Sequence, residues 1–190
     1  DGRELVIGAF TPSETVQVSN ANIPDFSILA RRRESVRDQL GSGSRTMVTG
    51  TAGFLKKVEA VTIYDAFPRM AIFDVEYTNT GTNDLQVSGW TNQHYAIGSD
   101  GEAKQPAFWS YQSGSYENRP DWVLPLTPGF RQENFMGMNS SDYGGGTPVV
   151  DVWRRDVGLA VGHLERVPKL ISLPVTMPDG NHASLAVEYR

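Results

Sequence analysis

Cysteine is absent from all 190 residues. That removes disulfide scaffolds, thiolate zinc sites and cysteine nucleophiles together. Histidine is almost as scarce. Its three copies, His94, His163 and His182, show no H-x-x-x-H spacing, so no metal is expected. No Gly-rich phosphate loop lies between a strand and a helix, and no cofactor is expected. An excess of positive charge is missing as well. Seventeen Lys and Arg face 22 Asp and Glu, for a net charge of −5. A nucleic-acid binder draws its affinity from a basic footprint, so that class is excluded. No apolar run approaches the ~20 residues of a spanning helix, so no membrane partner is expected. No serine sits in a G-x-S-x-G elbow, which removes that serine-hydrolase signature.

What the chain does contain is turn formers and aromatic rings. It has 19 glycines and 11 prolines, so turns are frequent and long helices disfavoured. Four Trp and seven Tyr help raise the aromatic share to 10%, which asks for an explanation. Between the turns run short alternating segments. In the segment from Ala71 to Thr78, Ala71, Phe73, Val75 and Tyr77 point one way; Asp74, Glu76 and Thr78 point the other. That period of two predicts a strand with one covered face. The β-branched run Val58–Tyr64 precedes it across a turn-length link, Asp65–Arg69, so the two predict an antiparallel pair.

Further strands are predicted at Thr46–Thr49, Leu85–Trp90, His94–Ile97, Val149–Arg154, Leu159–Leu164, Leu170–Val175 and Ala183–Tyr189. Ser99-Asp100-Gly101 and Pro178-Asp179-Gly180-Asn181 carry the Asp-Gly hairpin signal. Asn79–Asn83 reads as a polar loop, and Arg155–Gly158 as a hairpin link. Only Ser35–Leu40 has a helical pattern, which Gly41-Ser42-Gly43-Ser44 would end. Arg31-Arg32-Arg33 reads as a solvated strand edge or turn. The expected fold over residues 1–190 is all-β, a large twisted antiparallel β-sandwich or a barrel.

Residues 105–146 break the rhythm. A connection of about forty residues far exceeds the usual link, and long loops of this kind carry function or cover another surface. Trp109, Tyr111, Trp122, Asp142 and Tyr143 are the candidate substrate-binding residues, with Trp90, Asn92 and Asp121 in the wider inventory. Sugars present apolar C–H faces and many hydroxyls. Indole and phenol rings match the first; Asp and Asn match the second. The same rings also suit the end of a sandwich or a domain interface. Asp142-Tyr143-Gly144-Gly145-Gly146 is the most unusual string, because three glycines allow close backbone approach.

Catalytic residues are harder to nominate. Asp142, Asp151, Asp156 and Glu165 could supply the paired carboxylates of a glycosidase, but turn and surface acids have the same look. His163, two residues from Glu165, is either a ligand-binding or basic group or a satisfied strand histidine.

Five stretches carry a family resemblance. They are Gly53–Val58, Val61–Pro68 and Tyr77–Gly81, followed by Asp142–Trp153 and Gly158–Glu165. They resemble the N-terminal β-sandwich of family 36 (clan D) α-galactosidase-like glycoside hydrolases, over about residues 45–190. The resemblance implies a galactose-mutarotase-like supersandwich packed on a catalytic barrel, acting on α-galactoside-type carbohydrate. The family's two catalytic carboxylates lie on that barrel, so no catalytic residue is carried over and this chain alone is expected to be inactive. A stand-alone carbohydrate-binding module and a structural interface domain remain the alternatives. A homo-oligomer is compatible with either. The chain opens at Asp1 and its last strand is followed only by Arg190, which predicts a fragment of a longer polypeptide; an exported and a cytoplasmic location fit equally.

Overall fold

The computed structural model describes residues 6–7, 13–99, 106–112, 122–134, 148–155, 157–165 and 171–189. Among these the chain is all-β, with antiparallel sheets, a sandwich-like arrangement and no helix. In chain order the strands are β1 (Val6–Ile7), β2 (Thr15–Val18), β3 (Ala21–Ile23), β4 (Ser27–Asp38), β5 (Gly41–Ala52), β6 (Leu55–Tyr64), β7 (Ile72–Asn79) and β8 (Val87–Gly98). They continue as β9 (Phe108–Tyr111), β10 (Val123–Leu126), β11 (Phe130–Gln132), β12 (Val149–Arg154), β13 (Val157–Gly162), β14 (Ile171–Ser172), β15 (Val175–Met177) and β16 (His182–Tyr189). The chain divides into two compact units, Asp1–Gln17 with Ser88–Arg190, and Val18–Val87.

The first unit holds two sheets. The larger runs β11-β15-β16-β8-β2, with β1 added on β8 and β14 on β16. The smaller runs β10-β9-β12-β13. Alternation builds the core between them. Phe108, Val150, Val152 and Leu126 from the smaller sheet meet Val175, Met177, Leu185 and Val187 from the larger, all buried. The neighbours Trp109, Asp151 and Trp153 consequently stand on the outer face of the smaller sheet. β12 and β13 pair as an antiparallel hairpin, but the predicted Arg155–Gly158 link is too long: Val157 and Gly158 already belong to β13, opposite Arg154 and Trp153.

Two predicted boundaries change here. Val87–Trp90 and His94–Ile97 belong to one strand, β8, which Leu85 and Gln86 precede. The pairing of β16 with β8 shifts register between Leu185 and Val187, and Gln93 takes a positive φ of 52° there. The bulge hides the continuity from a strict period of two. Leu170–Val175 splits the other way, into β14 and β15, because Pro174 has no N–H to give to a ladder. The Pro178–Asn181 turn is held by Asp179, whose carboxylate accepts from the N–H groups of Asn181 (2.8 Å) and His182 (2.7 Å). Ser99-Asp100-Gly101 lies only partly within the described residues.

The second unit contains the meander β4-β5-β6-β7. The expected pair is there as β6 and β7, with Val61 opposite Phe73 and Glu59 opposite Val75. Phe73, Val75 and Tyr77 are half-buried, whereas Asp74, Glu76 and Thr78 are exposed. Phe26 lies on the covered face, 6.0 Å from the Tyr77 ring, with Lys57 Nζ 5.7 Å from its centroid. Gly50 permits this: a Cβ there would stand 2.9 Å from the Phe26 Cβ. The Asn79–Asn83 loop closes on itself, since Asn79 accepts from Gly81 N–H at 2.9 Å and donates to Asn83 O at 2.7 Å.

The helical expectation for Ser35–Leu40 is wrong. Ser35–Asp38 belong to β4 and pair with β5 through Asp38–Gly41. The two residues between them form a tight hairpin, in which Asp38 accepts from Leu40 N–H at 2.9 Å and Gly41 takes φ 113°. Cross-strand pairing over twelve residues outweighs the weak local preference of six. Gly41 therefore turns a hairpin here; it does not stop a helix.

Candidate functional site

The outer face of the smaller sheet carries a cluster of rings set by register. Pro125 is opposite Trp109, Trp109 opposite Trp153, and Trp153 opposite Gly158. The two indoles are stacked, 6.3 Å apart and tilted by 24°. Trp109 is 36% exposed and Trp153 half-buried. Gly158 leaves room for that ring, because a Cβ there would lie 2.8 Å from the Trp153 Cβ. One row along, Tyr111 meets Trp122 edge-on at 5.7 Å and 81°. The Trp122 carbonyl accepts from Gln112 N–H at 2.7 Å, which fixes the ring-bearing residue to the end of β9. The Trp122 indole N–H is buried and has no hydrogen-bond partner among the described residues.

Asp151 stands on the same face. Its Oδ1 accepts from Tyr111 N–H at 2.7 Å. Burial raises its carboxyl above the usual range, with that hydrogen bond acting in the opposite direction. A carboxylate kept where charge is disfavoured marks a candidate binding group. The sign of its stability effect follows. Folding favours the protonated form, so the penalty is absent in acid and grows as pH rises through the raised value. Asp151→Asn keeps an oxygen for Tyr111 and removes the charge. It is expected to raise Tm at neutral pH and to leave it unchanged at about pH 3, below the carboxylate range. Thermal melts at both pH values check this; an equal shift at both would contradict it.

Behind the face runs a buried polar chain. Ser110 donates from its hydroxyl to the Asp151 carbonyl. Gln112 Nε2 donates to Ser110 Oγ at 2.5 Å, and Asn134 Nδ2 donates to Gln112 Oε1 at 2.7 Å and to Leu173 O at 3.0 Å. Each polar group so buried needs such a partner. The chain thus ties the strand bearing Asp151 to the larger sheet.

Of the sequence-nominated residues, Trp109, Tyr111 and Trp122 come together here. Asp142 and Tyr143 lie outside the described residues, as does Asp121. Trp90 does not join them; it stacks on Tyr189 at 5.9 Å and packs against the core of the first unit. Asn92 lies on β8, its Oδ1 buried without a hydrogen-bond partner among the described residues. Trp153 is a member of this cluster that the sequence analysis did not nominate. The alternation of Val149–Arg154 already puts it beside Asp151 on one face, but only pairing with β9 brings Trp109 alongside.

The histidines divide among other tasks. His163 Nδ1 accepts from Glu165 N–H at 3.3 Å, and burial lowers its basicity, opposed by the Glu165 charge. It lies just past the end of β13. His182 bonds Asp179 at 2.8 Å in a turn. His94 lines a shallow recess of about 150 Å³ with Arg131, Thr176, Ser184 and Glu188. Among the described residues no three His, Asp or Glu side chains form a group able to hold a metal.

No protein-family model and no curated protein matches this chain.

Proposed function

We propose that this chain is a noncatalytic β-sandwich that recognises carbohydrate with the outer face of the β10-β9-β12-β13 sheet. In this reading it is the N-terminal part of an α-galactosidase-like retaining glycoside hydrolase. The catalytic carboxylates then lie on a barrel outside this chain, and the face helps shape the sugar site. The observation that carries the proposal is the stacked pair Trp109 and Trp153 beside the Asp151 carboxylate. Flat indoles offer the surface on which the C–H face of a sugar ring rests. Asp151 supplies an acceptor for a hydroxyl. Gly158 and Ala160 add little bulk beside the rings, so a flat ligand meets no side-chain wall there.

Titration with galactose and α-galactosyl oligosaccharides, followed by tryptophan fluorescence, tests this. Saturable quenching is expected, weakened at least about tenfold, or ~1.4 kcal/mol, in Trp109→Ala and in Trp153→Ala. A chromogenic α-galactoside should not be turned over. A flat titration would end the carbohydrate reading. The second reading, a packing interface, draws on Val123 and Val149, which are 42% and 39% exposed on the same sheet. It expects the chain to bind a hydrophobic dye or to associate.

A further inference from the structure

Strand β4 is an uncovered edge with an uneven charge. It ends the β4-β5-β6-β7 sheet, and among the described residues no strand pairs with its outer side. Ten of its twelve residues are exposed, so one backbone edge remains open along an unusually long strand. Natural edges of this length are normally shortened, bulged or charged to prevent pairing. This one carries arginines, and their placement is one-sided. Register puts Arg31 beside Val48, Arg33 beside Thr46 and Arg37 beside Ser42, all on one face. The strand's own acids are on the other face and already engaged. Glu34 pairs with Arg32 at 2.9 Å, and Asp38 accepts from the Tyr64 hydroxyl at 2.6 Å. Among the described residues Arg31 and Arg37 have no side-chain hydrogen bond or ion pair, and Arg33 reaches only Ser44 Oγ at 3.5 Å. The nearest acid on this face by register is Glu59 of β6, and Lys57 holds it at 3.3 Å. Among the described residues the cationic row therefore lacks a counter-charge, in a chain whose net charge is −5.

We propose that β4 is a docking edge for an extended acidic segment of a protein partner, which adds as a fifth strand to this sheet. Backbone hydrogen bonds supply the pairing, and Asp or Glu at alternate positions meet Arg31, Arg33 and Arg37. The arginines repel other basic strands and select an acidic one. This surface is independent of the sugar-facing sheet.

The test uses the full chain and a labelled peptide of about ten residues alternating Glu with Val or Thr, read by fluorescence anisotropy. Saturable binding is expected. The triple variant Arg31→Glu, Arg33→Glu, Arg37→Glu should weaken it at least about tenfold, whereas lysine at the same three positions keeps most of it. The lysine variant and circular dichroism separate lost binding from lost folding. Methylating alternate backbone nitrogens of the peptide should abolish binding, because strand addition needs those N–H groups. Three outcomes overturn the proposal: no binding, equal binding of the methylated peptide, or binding of a heparin oligosaccharide in preference to the peptide.

Discussion

Phe108→Ala is expected to remove about 3–5 kcal/mol of stability, the range for deleting a buried aromatic ring. Phe108 is 1% exposed and sits in register with Leu126, which is fully buried. Its ring fills the space between the two sheets of the first unit, where Val152 and Leu185 also pack. A cavity there closes only partly, since most of the surrounding core residues are branched side chains fixed on strands. Domain stabilities lie in the region of 5–15 kcal/mol, so a loss of this size leaves little margin. One residue along, Trp109→Ala deletes a larger ring from the outer face. It is expected to change stability by less than about 1 kcal/mol, as a surface change does. Urea melts of the two variants check the contrast. Equal losses would mean that β9 does not divide its side chains between core and surface.

Asn134→Ala is expected to destabilise by about 2–4 kcal/mol through two separable effects. The first is polar. Asn134 Nδ2 serves both Gln112 Oε1 and Leu173 O, and alanine leaves both buried acceptors unmet. The second is conformational. Asn134 has φ 50°, a left-handed backbone that asparagine tolerates better than alanine. Asn134→Gly relieves only the second effect, so its loss should be the smaller. Asn134→Asp turns a donor into a carboxylate facing the Leu173 carbonyl and should lose at least as much as alanine. Denaturant midpoints give the order, and glycine falling below alanine would remove the backbone argument. The chain of bonds continues through Gln112 and Ser110 to the Asp151 carbonyl. The near-ultraviolet signal of the Trp109–Trp153 pair should therefore change in these variants.

The candidate face was partly legible beforehand. Trp109, Tyr111 and Trp122 stood out because rings were concentrated where strand alternation failed. Trp153 looked like an ordinary strand residue, for its partner lies 44 positions earlier and no local pattern encodes that pairing. Asp151 read as one acid among many until Tyr111 N–H and burial distinguished it. Ser110, Gln112 and Asn134 gave no signal at all. Small polar residues look like loop material until their side chains are found to satisfy one another inside a core.

Amino-acid order settles the all-β character, the alternating segments and several of the turns, because sterics, side-chain period and turn chemistry act over a few neighbouring residues. Strand partners, the bulge at Gln93, the break at Pro174 and the outward meeting of two distant indoles were decided in three dimensions. Those features depend on which strands lie side by side, and that choice comes from burying one shared core across long separations in the chain.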